Sequence, residues 1–236
     1  MLPEYNAIEE FQTHGEYQLL EKLIPIGFNT ILDVGCNRGY WTQMARSFHH
    51  NAHIHMFEIS TRTYRHMLQE QTLDDKMVPN NFGLSNSFRE IPVKYVPHND
   101  RVTTTISDIR HDDSVWTTGV VLPGDVYLKM HDIGYVDYLK IDTEGHEYEV
   151  LQGFENILNK GHVALIQFEY SFMNVLTKNL LIDFYKMLNP LGYVWGKISP
   201  DGIEFKEYHL WDEDFHGPDY IAVHKSRPDI MSLIKK

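Results

Sequence analysis

Three short stretches combine carboxylates, glycines and an imidazole in patterns that suit chemistry on a small polar ligand. They are Asp33-Val34-Gly35-Cys36-Asn37-Arg38-Gly39, Glu58 at the end of His53-Ile54-His55-Met56-Phe57, and Asp142-Thr143-Glu144-Gly145-His146-Glu147. The first reads as a buried strand that ends in an acid, turns through glycine and opens a helix. Its spacing, Asp-x-Gly-x-x-x-Gly, departs from the G-x-G-x-x-G that cradles a dinucleotide pyrophosphate, with Asn37 where a middle glycine would stand. Asp33 can meet an ammonium group, and Gly35 and Gly39 let backbone approach a bulky ligand with no Cβ in the way. That combination suits S-adenosylmethionine better than NAD. A tight strand-to-helix turn that needs glycine for steric reasons alone would look the same, so the later stretches decide.

Glu58 lies about twenty residues past the glycine turn, where a carboxylate accepts the ribose hydroxyls of a cofactor. Alone it would be an ordinary solvated charge at a strand end; paired with the first stretch it is less easily dismissed. The third stretch sits between a strand and a helix, at the sheet edge where ligands of open α/β sheets bind. Glu147 and Glu149 are accounted for by the dipole of the following helix. Asp142, Glu144 and His146 are more charge than a simple turn requires.

Alternating strands and helices must position these groups. After His14-Gly15-Glu16, the residues Tyr17, Leu20, Leu23 and Ile24 form the apolar face of a short helix, with Glu16 favoured at its start. A strand begins near Thr30, and Trp41, Met44, Ala45 and Phe48 recur at helical spacing. A helix over 61–71 and a third strand with its loop over 77–86 follow. Residues 88–120 are less regular, with short strands over 91–96 and 103–107 separated by a turn at His98-Asn99-Asp100; an insertion of this sort fits one wall of an acceptor pocket and a solvent-facing hairpin equally. A helix over 125–130 leads to the strand before Asp142. Val150, Leu151, Phe154, Ile157 and Leu158 then form one helical stripe. A strand over 163–168, a helix over 176–188 closed by Asn189-Pro190, a turn at Ile198-Ser199-Pro200-Asp201-Gly202 and strands around Trp195 and Ile221 complete the pattern. Between the last two strands, Tyr208, His209, Trp211, Asp212, Glu213, Asp214, Phe215 and His216 offer aromatic faces and hydrogen-bonding groups of the kind that meet a sugar, or simply cover a sheet edge.

These pieces, in this order, resemble the FkbM-type family of S-adenosylmethionine-dependent methyltransferases. The resemblance rests on residues 33–39, on Glu58, on Asn81-Phe82-Gly83-Leu84-Ser85-Asn86, on Asp137-Tyr138-Leu139-Lys140-Ile141-Asp142-Thr143-Glu144-Gly145-His146-Glu147 with Val150-Leu151-Gln152-Gly153, and on Ile166-Gln167-Phe168-Glu169. It spans roughly residues 14 to 225, and the Lys-Ile-Asp-x-Glu-Gly block is its most specific part. It implies an α/β, Rossmann-like class I methyltransferase fold: a mostly parallel sheet with helices on both faces and a late antiparallel strand. S-Adenosyl-L-methionine would be held by Asp33, Gly35, Cys36, Asn37, Gly39, Glu58, Asn81, Gly83 and Asp142, with Asn81 and Gly83 near the adenine. The implied reaction is O-methylation of a hydroxyl, commonly on a glycan or a secondary metabolite.

A sulfonium methyl is already activated, so alignment of the oxygen nucleophile dominates. A placed base adds to this, on the order of 10²–10⁴. His146 is the first candidate, with Glu144 orienting it or acting in its stead. A divalent metal held by Asp142, Glu144, His146 and Glu169 is the alternative route; sequence spacing does not establish that these converge, and no metal ligand is assigned. The pairs His49-His50 and His53, His55 are not at ligand spacings.

With 236 residues and no linker or repeat, the chain reads as a single domain over 1–236, with an N-terminal helical segment over 1–29. A net charge of −12 argues against a nucleic-acid acceptor, which calls for clustered Lys and Arg. The single cysteine, Cys36, excludes an internal disulfide and reads as a small structural residue in the turn. Residues 1–5 show no signal core and no apolar run reaches membrane-span length, so a cytoplasmic protein is expected. A non-catalytic scaffold retaining the cofactor pocket is the competing function; the intact acidic cluster favours the enzyme. The oligomeric state is not written in these motifs.

Overall fold

The computed structural model describes residues 7–96, 99–106, 113–217 and 219–236. The turn expected at His98, the strand end expected at Ser107 and residues 1–5 lie outside these.

Two helices, α1 (Ala7–His14) and α2 (Glu16–Lys22), precede the first strand, both within the helical segment expected over 1–29. A parallel core then forms from β1 (Thr30–Val34), β2 (His53–Phe57) and β3 (Met77–Asn80), linked by α3 (Tyr40–Phe48) and α4 (Thr61–Glu70). The chain next builds β4 (Gly83–Ser85), β5 (Arg89–Val96), β6 (Asn99–Thr104) and β7 (Val115–Pro123). It returns through α5 (Gly124–Met130) to β8 (Val136–Ile141) on the other side of β1. Helices α6 (Glu147–Gln152) and α7 (Glu155–Asn159), strand β9 (Val163–Phe168), α8 (Met173–Thr177), α9 (Leu181–Leu188), β10 (Tyr193–Lys197), β11 (Tyr220–His224) and α10 (Pro228–Ile234) follow. The seven-stranded sheet has the order β10-β11-β9-β8-β1-β2-β3, with β11 antiparallel to both β9 and β10.

Successive strand residues face opposite ways, and the core divides accordingly. On β1, Leu32 joins one apolar cluster with Leu139, Val150, Leu151, Phe154 and Phe184, while Ile31 joins the other with Leu20, Leu23, Trp41, Ala45 and Ile230. Strands β8 and β9 are buried at every position, as expected of parallel strands covered on both faces.

Several expected elements differ in extent. The single stripe through Leu158 is two helices, broken at Gly153, whose Cα packs so tightly that a Cβ would sit 1.9 Å from the Ser85 carbonyl oxygen. The helix expected over 176–188 is likewise two, because Lys178 adopts a left-handed φ of 63° that ends α8. The strand expected over 77–86 is shared between sheets, β3 in the large one and β4 in a four-stranded sheet ordered β4-β7-β5-β6. The turn near Pro200 forms, yet the antiparallel partner of β10 is β11; Trp195 makes only a single bridge to Lys206.

Candidate active site

Strand order reverses between β1 and β8: the chain leaves β1 toward β3 on one side and returns to build β8, β9 and β11 on the other. In open α/β sheets the carboxyl ends at such a switch point leave a crevice. Here it is a cleft of about 490 Å³, walled by the ends of β1, β2, β8 and β9, by α1 and α2, and by β4 to β7 of the small sheet.

The β1 turn is built for close approach. Gly35 has a φ of 84°, and a Cβ there would fall 1.8 Å from the Asp142 carbonyl oxygen. Asn37 also lies in the left-handed region, and Gly39 caps α3 with its missing Cβ toward Met67 and Gln71 rather than the cleft. Asp33 is fully buried; its Oδ2 accepts from the Thr42 hydroxyl at 2.5 Å, while Oδ1 is buried with no hydrogen-bond partner. Burial raises the Asp33 pKa, against the opposing pull of Lys140. An orphaned carboxylate oxygen beside a glycine cradle fits a donor-rich ligand that brings cationic groups. Glu58 ends β2 with its Oε1 accepting from the Ser60 N–H at 2.7 Å, which fixes the carboxylate at the cleft rim. Asn81 stands outside the cleft lining: it donates to the Glu58 carbonyl at 2.9 Å and accepts from Thr61, buttressing the β2 end, whereas Gly83 lines the cleft. Burial pushes the Cys36 thiol well above its ordinary pKa, and its Sγ rests 3.7 Å from the Met67 sulfur.

The loop after β8 is shaped by Glu147. Its Oε1 accepts from the Thr143 N–H at 2.7 Å, the Thr143 hydroxyl at 2.9 Å and the Gly145 N–H at 3.2 Å. Burial lifts its pKa to about 7. The helix dipole is therefore not its main engagement: Glu147 is a buried clasp holding Glu144 and Gly145 at φ values of 55° and 103°. That strained turn places Asp142, Thr143, Glu144 and His146 in the cleft wall. His146 Nε2 lies 2.9 Å from the Ser85 hydroxyl, and Nδ1 lies 3.8 Å from Glu149 Oε2. A carboxylate facing His146 is thus Glu149, which the sequence pattern gave only to the helix dipole, while Glu144 was expected to orient the ring. Burial lowers the His146 pKa, with Glu149 opposing.

A second set of charges meets the cleft, of which sequence reasoning weighed only Glu16 as a ligand contact and preferred the helix dipole for it. Lys140 is buried on β8, its ammonium 2.8 Å from Asp142 Oδ2 and 5.6 Å from the Trp41 ring centroid. Burial works against this ammonium, but Asp142, Asp33, Glu16 and Asp219 together push its pKa up. A lysine inside a buried parallel strand was the available signal, since a buried charge must be paired. Glu16 is buried at the start of α2 and lines the cleft instead of only favouring the dipole; burial and Asp219 raise its pKa to about 8. Asp219, just before β11, rises to about 6 through burial and Asp142, and nothing in its sequence context marked it.

The aromatic loop over 208–216 does not reach the cleft. Glu213 instead accepts from Tyr170, Tyr208 and the N–H groups of Leu181 and Ile182, and Phe215 stacks on Tyr170, so the loop closes the end of the sheet. From the irregular region, Ile91, Thr103, Thr104, Thr105 and Val121 line the cleft. No group of three or more metal-type ligands converges among the described residues, and no described helix is long and apolar enough to cross a membrane.

Comparison with known proteins is consistent in kind. The methyltransferase FkbM domain matches residues 33–194. No curated protein is matched in sequence. Among solved structures, a Staphylococcus aureus protein assigned to the caffeoyl-CoA O-methyltransferases superposes with a TM-score of 0.50 at 11% identity, covering 94% of this chain and 93% of that one. Precorrin-6y C5,15-methyltransferase from Geobacter metallireducens gives 0.46 at 13% identity, over 94% and 90% of the two chains. The shared feature is the fold: a mostly parallel seven-stranded sheet with helices on both faces and a late antiparallel strand.

Proposed function

The chain belongs to the methyltransferase FkbM domain family, whose methyl donor is S-adenosylmethionine, and from that premise we propose that it methylates a hydroxyl of a sugar or sugar-containing metabolite. Bound in the cleft, S-adenosylmethionine supplies an electrophilic methyl group on a sulfonium. The residues Asp33, Gly35, Cys36, Asn37 and Glu58 would hold it, with Glu58 accepting from the ribose, Gly83 flanking the adenine, Asp142 near the methionyl end, and Gly39 and Asn81 supporting from behind.

The observation that carries the hydroxyl reading is the imidazole of His146 in the cleft wall, in the same turn as Glu144, with burial favouring its uncharged form. An alcohol acquires acidity as its oxygen gains a bond to carbon, so a base of modest strength suffices if it is in place. His146 is that base in this proposal, and an entering hydroxyl competes with Ser85 for Nε2. Glu144 orients the acceptor from the same turn. The carboxylates and the Thr103 to Thr105 edge suit an acceptor rich in hydroxyl donors, and the acidic lining disfavours a nucleic-acid backbone.

The test is a screen of sugars, sugar nucleotides and glycans with radiolabelled S-adenosylmethionine, followed by mass-spectrometric placement of the methyl group. An O-methyl ether on a sugar supports the proposal; methyl transfer confined to nitrogen, carbon or nucleic acid rejects it.

A further inference from the structure

Three carboxylates share the corner of the cleft away from the glycine turn. Glu169 follows β9 and Asp219 precedes β11; because Phe168 pairs with Tyr220, the two acids leave neighbouring strand ends side by side. The Glu169 N–H donates to the Ile141 carbonyl at 3.1 Å, which sets Glu169 beside Asp142. Glu16 enters from α2 and is tied in through Gln167, whose amide donates to Glu16 Oε1 at 2.6 Å and to Asp219 Oδ2 at 2.7 Å. Both amide hydrogens are then used, and Gln167 Oε1 accepts from the Tyr138 hydroxyl. Nothing is left to serve Glu169, whose Oε2 is buried in the lining with no hydrogen-bond partner. The Lys and Arg among the described lining residues are Lys140 and Arg38, and these pair with Asp142 and Glu70.

We propose that this corner is a subsite for a protonated primary amine, so that the acceptor is an amino-bearing polyol, such as an amino sugar, methylated on a hydroxyl. The inference rests on the hydroxyl-methylation reading and narrows its substrate class. An ammonium brings three donors and a positive charge to a corner whose described cation, Lys140, is bonded to Asp142, and removes the penalty of the orphaned Glu169 oxygen. A phosphate or nucleotide-linked sugar would meet like charge. An amine held protonated has no lone pair, which leaves a hydroxyl as the methylated atom. Burial raises the pKa of Glu16 and of Glu169, so amine binding shifts both toward ionisation and releases protons.

The experiment uses the full chain with S-adenosylmethionine and a panel of glycosides, each prepared as the free amine and as its N-acetyl form. The expected result is a kcat/KM at least about tenfold higher for the free amine in the pairs that turn over, with Glu169→Gln reducing that preference about tenfold. S-Adenosylhomocysteine affinity of Glu169→Gln, read by calorimetry, should stay within about twofold of wild type, as the preference for a charge-assisted contact to the acceptor predicts. Equal turnover of both members, or turnover of no free amine, overturns the subsite; so does a tenfold loss of S-adenosylhomocysteine affinity in Glu169→Gln, which would give the corner to the cofactor. O-Methylation of neutral sugars without amine preference would leave the hydroxyl reading standing. Methyl transfer to the nitrogen of the captured amine would overturn both readings, because a subsite that holds the amine protonated leaves it no lone pair to methylate.

Discussion

Gly35 and Asp142 are held so close that the ends of β1 and β8 meet without room for a methyl group: a Cβ on Gly35 would fall 1.8 Å from the Asp142 carbonyl oxygen. The two turns proposed to carry the cofactor and acceptor chemistry are therefore one mechanical unit. Gly35→Ala adds both that clash and a disfavoured positive φ, and should destabilise the protein by about 2 kcal/mol or more. Thermal unfolding with and without S-adenosylmethionine checks this: the variant should melt lower and show no stabilisation by the cofactor, and a wild-type shift would contradict the packing argument.

Glu58 is fixed at the end of β2 by the Ser60 N–H and by the Asn81 buttress behind it. Glu58→Ala should weaken S-adenosylhomocysteine binding by roughly tenfold or more, the loss expected for a charged hydrogen-bond acceptor. Calorimetry decides, and unchanged affinity would remove its ribose role.

The place of His146 in the cleft wall leads to a separation of kcat from binding. His146→Ala should lower kcat by roughly 10²–10⁴ while cofactor affinity stays near wild type. Because burial lowers its pKa, the ascending limb of the kcat profile in the wild type should fall below the ordinary histidine value of about 6.5. A variant that keeps wild-type turnover would take the base assignment away from it.

The pKa of Glu16, raised to about 8, makes a statement about stability. Between the unfolded value of 4.5 and about 8 the folded state holds a proton that the unfolded state has lost, so this group's contribution to stability falls as pH rises through that window. Glu16→Gln removes the titration. Urea unfolding should show the variant gaining on wild type from pH 5 to pH 8.5 by on the order of a few kcal/mol. A difference independent of pH would show that Glu16 ionises normally in the folded protein.

Lys140 is a buried ammonium among carboxylates. Lys140→Met should leave Asp142 and Asp33 without their cation and destabilise the protein by about 3 kcal/mol, while Lys140→Arg with Asp142 intact should recover part of that loss. Denaturant midpoints for the three proteins test the pairing, and an unchanged midpoint in Lys140→Met would show that the ion pair contributes nothing.

Much of the architecture was legible in the residue pattern because it is local. Largely apolar, β-branched-rich segments over 136–141 and 163–168, set between helical stripes, fit parallel strands buried on both faces, and Asp33, Glu58 and Asp142 stand at or beside strand ends. The breaks at Gly153 and Lys178 were not legible. The first depends on the Ser85 backbone arriving from a distant strand, and the second on a left-handed residue that is not glycine. The sugar-like appeal of the 208–216 loop was composition without address, since Glu213 and Phe215 are engaged by Tyr170.

The sequence by itself determined the alternation of elements, the glycine turn and the family, because these rest on short-range periodicity and on motifs read within a few residues. Only the tertiary structure decided which groups meet. It set Glu149 and Ser85 on either side of His146, turned Glu147 from a helix-end charge into a buried clasp, and drew Glu16 and Asp219 from separate elements onto Gln167. Residues 151 positions apart become hydrogen-bonded neighbours when strand order is fixed by burying two apolar faces at once, and no local pattern encodes that distance.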